Sequence, residues 1–176
     1  AVANIDVIEA VGGGLIISEY VEGPSNNKAI ELYNGEGSVD LSTCQLLRYT
    51  NGGSSMGMLD LSGTLAAGET WVLCNSSIAD PTPCDVMSGV INHNGNDSYE
   101  LICAGMVIDS FGKTDEDPGA AGWMGGGLQT MDYSLRRLVG VTSGDTNSLD
   151  AFDPSVEWEG TVCNAGSCDY STLGSR

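Results

Sequence analysis

Asp115, Glu116 and Asp117 stand in a row before Pro118 and Gly119, the densest run of oxygen donors in the chain. Hard cations such as Ca²⁺ take about six to eight oxygens, often from loop carboxylates and carbonyls close together in sequence. With Asp109 or Asp97 brought in from neighbouring segments, Asp115 and Asp117 would make a structural calcium site. The EF-hand spacing is absent, however, and Asp-Pro-Gly is also an ordinary turn. A sparser acidic cluster follows at Asp145, Asn147, Asp150 and Asp153.

Gly53-Ser54-Ser55-Met56-Gly57 has the G-x-S-x-G pattern of a nucleophile elbow. An elbow needs a strand, a turn, a helix and a histidine partner. Here the pattern lies in a Gly/Ser loop, and His93, the one histidine, sits in an Asn-rich turn. Glu19 and Glu31 are the remaining acid pair, and paired carboxylates can do acid–base chemistry. Their alternating context reads instead as a half-solvated hairpin whose acids pair locally, with Lys28 or Arg48 as the cations within reach. Trp71, Trp123 and Trp158 would suit a sugar-binding platform if exposed. Trp71 reads as core and Trp158 as the cover of an edge. Trp123, between Gly122 and Met124-Gly125, is the one expected at the surface.

Six cysteines and no C-x2-C pair point to disulfides and an oxidising compartment rather than to zinc. Cys163 and Cys168 enclose a turn-like tetrapeptide, and Cys74 and Cys84 a polar loop with Pro81 and Pro83; both pairs look like local staples. Cys44 and Cys103, each in a strand-like run, then remain as a long-range bridge, although other pairings stay open. The net charge of −18, from 24 acids against 6 bases, excludes a domain that binds nucleic acid by neutralising phosphates. It suits solubility, divalent cations or a salty exterior. A hydrophobic share of 41% argues for a folded chain. No apolar run reaches the roughly 18 residues that a membrane helix needs. Ala1-Val2-Ala3-Asn4 reads as a mature terminus after removal of a leader, so the expected location is extracellular or at the cell surface.

The elements that must position these groups are strands. Runs at 15–22, 28–34, 43–50, 69–74, 86–91, 98–104, 106–111 and 133–139 show a period of two and are bounded by Gly, Asn, Asp, Ser or Pro. No amphipathic helix stands out. Turns about every ten residues predict an all-β sandwich or barrel. From Thr142 onward the chain reads as irregular, pinned by Trp158 and the last two cysteines. Residues 1–11, AVANIDVIEAV, are β-prone, and Gly12-Gly13-Gly14 makes a hinge between them and a domain at 15–176.

Several stretches then resemble one family. ISEYVEGPSNNKAIELYN (17–34) resembles the opening signature of the lamin tail domain in secreted bacterial proteins. LAAGETWVL (65–73), NGNDSYELI (94–102), VIDSFGKTDEDPG (107–119), YSLRRL (133–138) and AFDPSVEW (151–158) resemble its later segments in order. The resemblance implies an immunoglobulin-like β-sandwich, here stapled by disulfides, and a non-catalytic module that often accompanies an extracellular nuclease or phosphatase. Two features depart from the pattern: the six cysteines and the extra segment 1–14.

Together these features predict a secreted, non-enzymatic structural or interaction protein with protein partners, no direct nucleic-acid binding and no obligatory cofactor beyond the calcium considered above. Residues 1–11 either add a strand to their own sandwich or pair with the open edge of a neighbouring copy, which would build filaments. The alternative function is an N-terminal accessory module of a larger secreted nuclease or phosphoesterase.

Overall fold

The computed structural model describes residues 14–163 and 168–176. Fourteen strands follow one another: β1 (Leu15–Glu22), β2 (Lys28–Asn34), β3 (Val39–Asp40), β4 (Cys44–Tyr49), β5 (Met56–Asp60), β6 (Thr64–Leu65), β7 (Thr70–Asn75), β8 (Val86–Ser88), β9 (Ser98–Cys103), β10 (Met106–Phe111), β11 (Met124–Gly125), β12 (Leu128–Gln129), β13 (Tyr133–Arg137) and β14 (Trp158–Val162). One short helix, α1 (Pro154–Glu157), precedes the last strand. Asp153 caps it: its side chain accepts from the Ser155 amide, and Pro154 fills the first turn, where no amide partner is needed.

The strands form an all-β, immunoglobulin-like sandwich. A six-stranded sheet runs β14-β13-β1-β2-β7-β8 and faces a four-stranded sheet, β10-β9-β4-β5. Two short ribbons, β11-β12 and β3-β6, complete it. All pairings are antiparallel except β7 with β8. Alternation aims Ile30 and Leu32 of β2, Leu73 of β7 and Leu135 of β13 at Leu46, Tyr99, Leu101 and Phe111 of the facing sheet, all buried. In β1 the register slips between Ile17 and Glu19. That bulge lets Leu15, Ile17 and Tyr20 all reach this core.

The larger sheet is covered on its other face too. Val21, Ala29, Val72 and Cys74 pack there against Ile78 and Cys84 from one loop and Tyr170 and Leu173 from the C-terminal tail. Every residue of β1 is therefore buried. A half-solvated hairpin was the expectation for β1 and β2; this second layer is why the expectation fails.

Three disulfides join Cys44 to Cys103, Cys74 to Cys84, and Cys163 to Cys168. Cys44 and Cys103 are direct partners in the β4–β9 ladder, so the long bridge lies within one sheet. The other two hold the layer over the larger sheet. Six strands were not anticipated: the two-residue β3, β6, β11 and β12, and the longer β5 and β14. β5 (MGMLD) is poor in β-branched residues, and β14 lies in the segment read as irregular; each exists because a neighbouring strand supplies its ladder. The N-terminal segment lies outside the described residues. No helix among the described residues is long and apolar enough to cross a membrane.

Candidate functional site

Asp109 is fully buried at the junction of the two sheets. Its Oδ2 accepts from the Ile17 amide at 2.7 Å and from Arg137 Nη1 at 2.5 Å; its Oδ1 accepts from the amides of Ser110 at 2.9 Å and Asp145 at 2.8 Å. Burial pushes its pKa up, and the Arg137 charge and the amide donors oppose that. Arg137 also binds Glu157 and lies over the Trp158 ring. Asp109 thus bolts β10 to β1 and β13.

Its expected partners are engaged elsewhere. Asp115 sits at φ 71°, and its amide donates to the Gly52 carbonyl at 2.6 Å. Gly52, at φ 62°, accepts this docking because a Cβ there would stand 1.9 Å from the Glu116 carbonyl oxygen. Asp117 accepts from the Gly119 amide at 2.9 Å and faces the Asn96 amide group at 3.4 Å. Asp97 accepts from the Asn51 and Asn94 amides and pairs with Arg48 at 3.3 Å. Among the described residues, no three His, Cys, Asp or Glu side chains are gathered as a metal ion requires. Of the second acidic cluster, Asp145, Asp150 and Asp153 line an open cleft of about 320 Å³ with Phe152 and Trp158.

Among the described residues, Ser55 and His93 make no hydrogen bond to each other. Ser55 lies exposed just before β5. His93 is buried, stacked on Tyr20, with Nε2 2.8 Å from the Val21 carbonyl and Nδ1 2.8 Å from the Tyr99 hydroxyl. A carbonyl only accepts, so Nε2 carries the proton and Nδ1 accepts from Tyr99. Burial lowers its pKa to about 3 and keeps the ring neutral. Trp123 is buried, at 5% exposure, contrary to expectation. It lies over Gly112, where a Cβ would come 2.7 Å from the indole ring, and edge-on to Phe152. Trp71 packs against the core and Trp158 is buried within it.

The acids of the first hairpin form the most unusual cluster. Glu19 binds Arg136 Nε at 2.8 Å and also Thr172 Oγ1. Glu31 accepts from Ser18 Oγ at 2.6 Å and from the Gly174 amide at 2.7 Å. Lys28 pairs with Glu22 and Arg48 with Asp97, so neither cation expected beside Glu19 and Glu31 serves them; the partners come instead from β13 and the C-terminal tail. The C-terminal tail straps over these groups: Asp169 meets Arg136, the Asp169 carbonyl accepts from Ser134 Oγ, and Arg176 reaches the Leu138 and Val141 carbonyls.

The exposed apolar side chains include Val139, Val156 and Leu149 in loops and the short helix, and a set of methionines. Met56, Met58, Met87, Met106 and Met124 are each at least half exposed, at 51%, 50%, 55%, 55% and 65%. The first four lie on β5, β8 and β10, strands at the ends of their sheets. Flexible, polarisable thioethers suit contact surfaces.

A disulfide-bonded immunoglobulin-like sandwich with an apolar core, buried ion pairs and apolar side chains on its edges is a protein-interaction module. The lamin tail domain family matches residues 9–115, more than half of the chain, and the chain belongs to that family. The match ends at Asp115, so β13, β14 and the C-terminal strap lie beyond it. No curated protein matches the chain.

Proposed function

We propose that this is a secreted, non-enzymatic structural protein that assembles with copies of itself. In this reading residues 1–11 of one molecule add a strand to an open sheet edge of the next. The contact is head-to-tail, so it propagates as a filament rather than closing as a dimer. The observation that carries the reading is the combination of a β-prone segment ahead of a triple-glycine hinge with a sandwich whose sheets, among the described residues, end in strands paired on one side only. The three disulfides support it, since a filament outside the cell must hold its fold without chaperones and under oxidising conditions.

Sedimentation velocity on the full chain, beside a variant lacking residues 1–11, tests this. Large species in the full chain that vanish in the variant are the expected result. Monomers in both, at high concentration and with an intact N-terminus, would refute it.

A further inference from the structure

We infer that the acceptor for the donated strand is the free edge of β5, with residues 1–11 of a second copy as its occupant. This rests on the self-assembly reading and specifies it.

The sandwich has four sheet ends, and three are guarded. β10 carries a bulge between Val107 and Asp109. The chain at Gly144 and Asp145 also closes over it: a Cβ at Gly144 would meet the Ile108 carbonyl oxygen at 2.1 Å, and the Asp145 amide bonds to Asp109. β14 is flanked by the β11–β12 ribbon and carries Glu159. β8 is only three residues long and joins its sheet in parallel. Bulges, charges, short strands and covering segments are the usual means of blocking edge-to-edge pairing.

β5 has no bulge, and only its last residue, Asp60, is charged. Among the described residues it pairs with β4 alone, over all five of its residues, in an unbroken antiparallel register from Met56 to Asp60. It contains no Pro, Lys or Arg. Its exposure alternates: Met56 and Met58 are exposed, while Leu59 packs against the core. Gly57 turns toward Val90, whose nearest methyl would lie 3.6 Å from a Cβ placed there. An incoming strand would therefore find an unpaired backbone and a row of thioethers beside it.

The donor fits in length and pattern. The β-prone stretch before Gly12 includes residues 1–11. Extended, they reach roughly 36 Å, about twice the span of a five-residue edge. Alternation puts Ala3, Ile5 and Val7 on one side, an apolar row to lie beside Met56 and Met58. Asp6 and Glu9 fall outside or at the limits of that row.

The five exposed methionines provide an internal control, because similar exposure gives them similar oxidation rates in the free monomer. The 176-residue chain is treated briefly with hydrogen peroxide, once dilute and once at a concentration where sedimentation shows assemblies. Sulfoxide is then mapped by peptide mass spectrometry. Assembly is expected to slow oxidation of Met56 and Met58 several-fold and to leave Met87, Met106 and Met124 unchanged. Met58→Lys should abolish assembly, while Met87→Lys should not. Assemblies in which all five methionines oxidise as in the monomer, or in which Met87 or Met106 alone is protected, would overturn the β5 assignment and leave self-assembly standing. Absence of assemblies at every concentration would overturn both.

Discussion

Glu19 and Glu31 are register partners across the β1–β2 hairpin, both buried, and Arg136 serves only the first of them. Burial, and in smaller part the charge of Glu19, pushes the Glu31 pKa up to about 7, against the pull of Ser18 and the Gly174 amide. The folded state therefore holds a proton that the unfolded chain releases near its ordinary value of 4.5. Between those two pH values the folded form binds more protons, so the Glu31 contribution falls as pH rises from about 4.5 to about 7 and is present in full below that window. Replacing Glu31 with Gln keeps the shape and removes the charge. Glu31→Gln should stabilise the protein by about 1 to 3 kcal/mol at pH 8, with no gain at pH 4. Urea unfolding at the two pH values checks this.

Arg137 joins both sheets through Asp109, Glu157 and the Trp158 ring. Arg137→Met leaves a buried carboxylate without its cation and should cost about 3 to 5 kcal/mol at pH 7. Asp109 would then protonate more readily, so the loss should shrink toward acid pH. A double-mutant cycle with Asp109→Asn should show strong coupling, because each single change strands the other partner. Equal losses at pH 4 and pH 7 would contradict the account.

The Cys44–Cys103 bridge closes the longest loop, with a sequence separation of 59 against 10 and 5 for the others. On the chain-entropy argument, replacing both Cys44 and Cys103 with Ala should cost about 4 kcal/mol, and replacing Cys163 and Cys168 about 2 kcal/mol. The second pair should also loosen the strap over Glu19 and Glu31. Hydrogen exchange at the Gly174 amide, which bonds to Glu31, would report that loosening while the core strands stay protected.

A chain of net charge −18 repels its own copies. Salt screens that repulsion over a Debye length of about 10 Å at 0.1 M. If residues 1–11 supply the contact through an apolar, backbone-paired strand, assembly should increase from low salt to about 0.15 M and above. Light scattering across a salt series checks this. Assemblies that dissolve as salt rises would point to ion pairs as the glue instead.

Much of the sandwich was legible in the sequence. KAIELYN and TWVLCN alternate, and glycines and asparagines mark the turns, because a strand facing one core must repeat every two residues. The cysteine positions were readable as staples because loop contents and strand context differ among the pairs. Other features were decided only by tertiary structure. Alternation reveals that a strand has two faces, but not that a tail from Asp169 to Arg176 covers the second. Glu19 and Glu31 therefore read as solvent acids and prove to be buried. Trp123 among glycines read as exposed, yet Gly112 clears the space into which it folds. Asp109, Asp115 and Asp117 are near one another in sequence, and a strand end separates them: Asp109 turns inward to Arg137, while the other two pack their loop onto Gly52 and Asn96. Local spacing sets what a side chain can do, but burial and partners depend on distant segments brought alongside it. For that reason the sequence alone determined the longer alternating strands and the kind of fold, and only the assembled sandwich decided the short and irregular strands and which acids are buried.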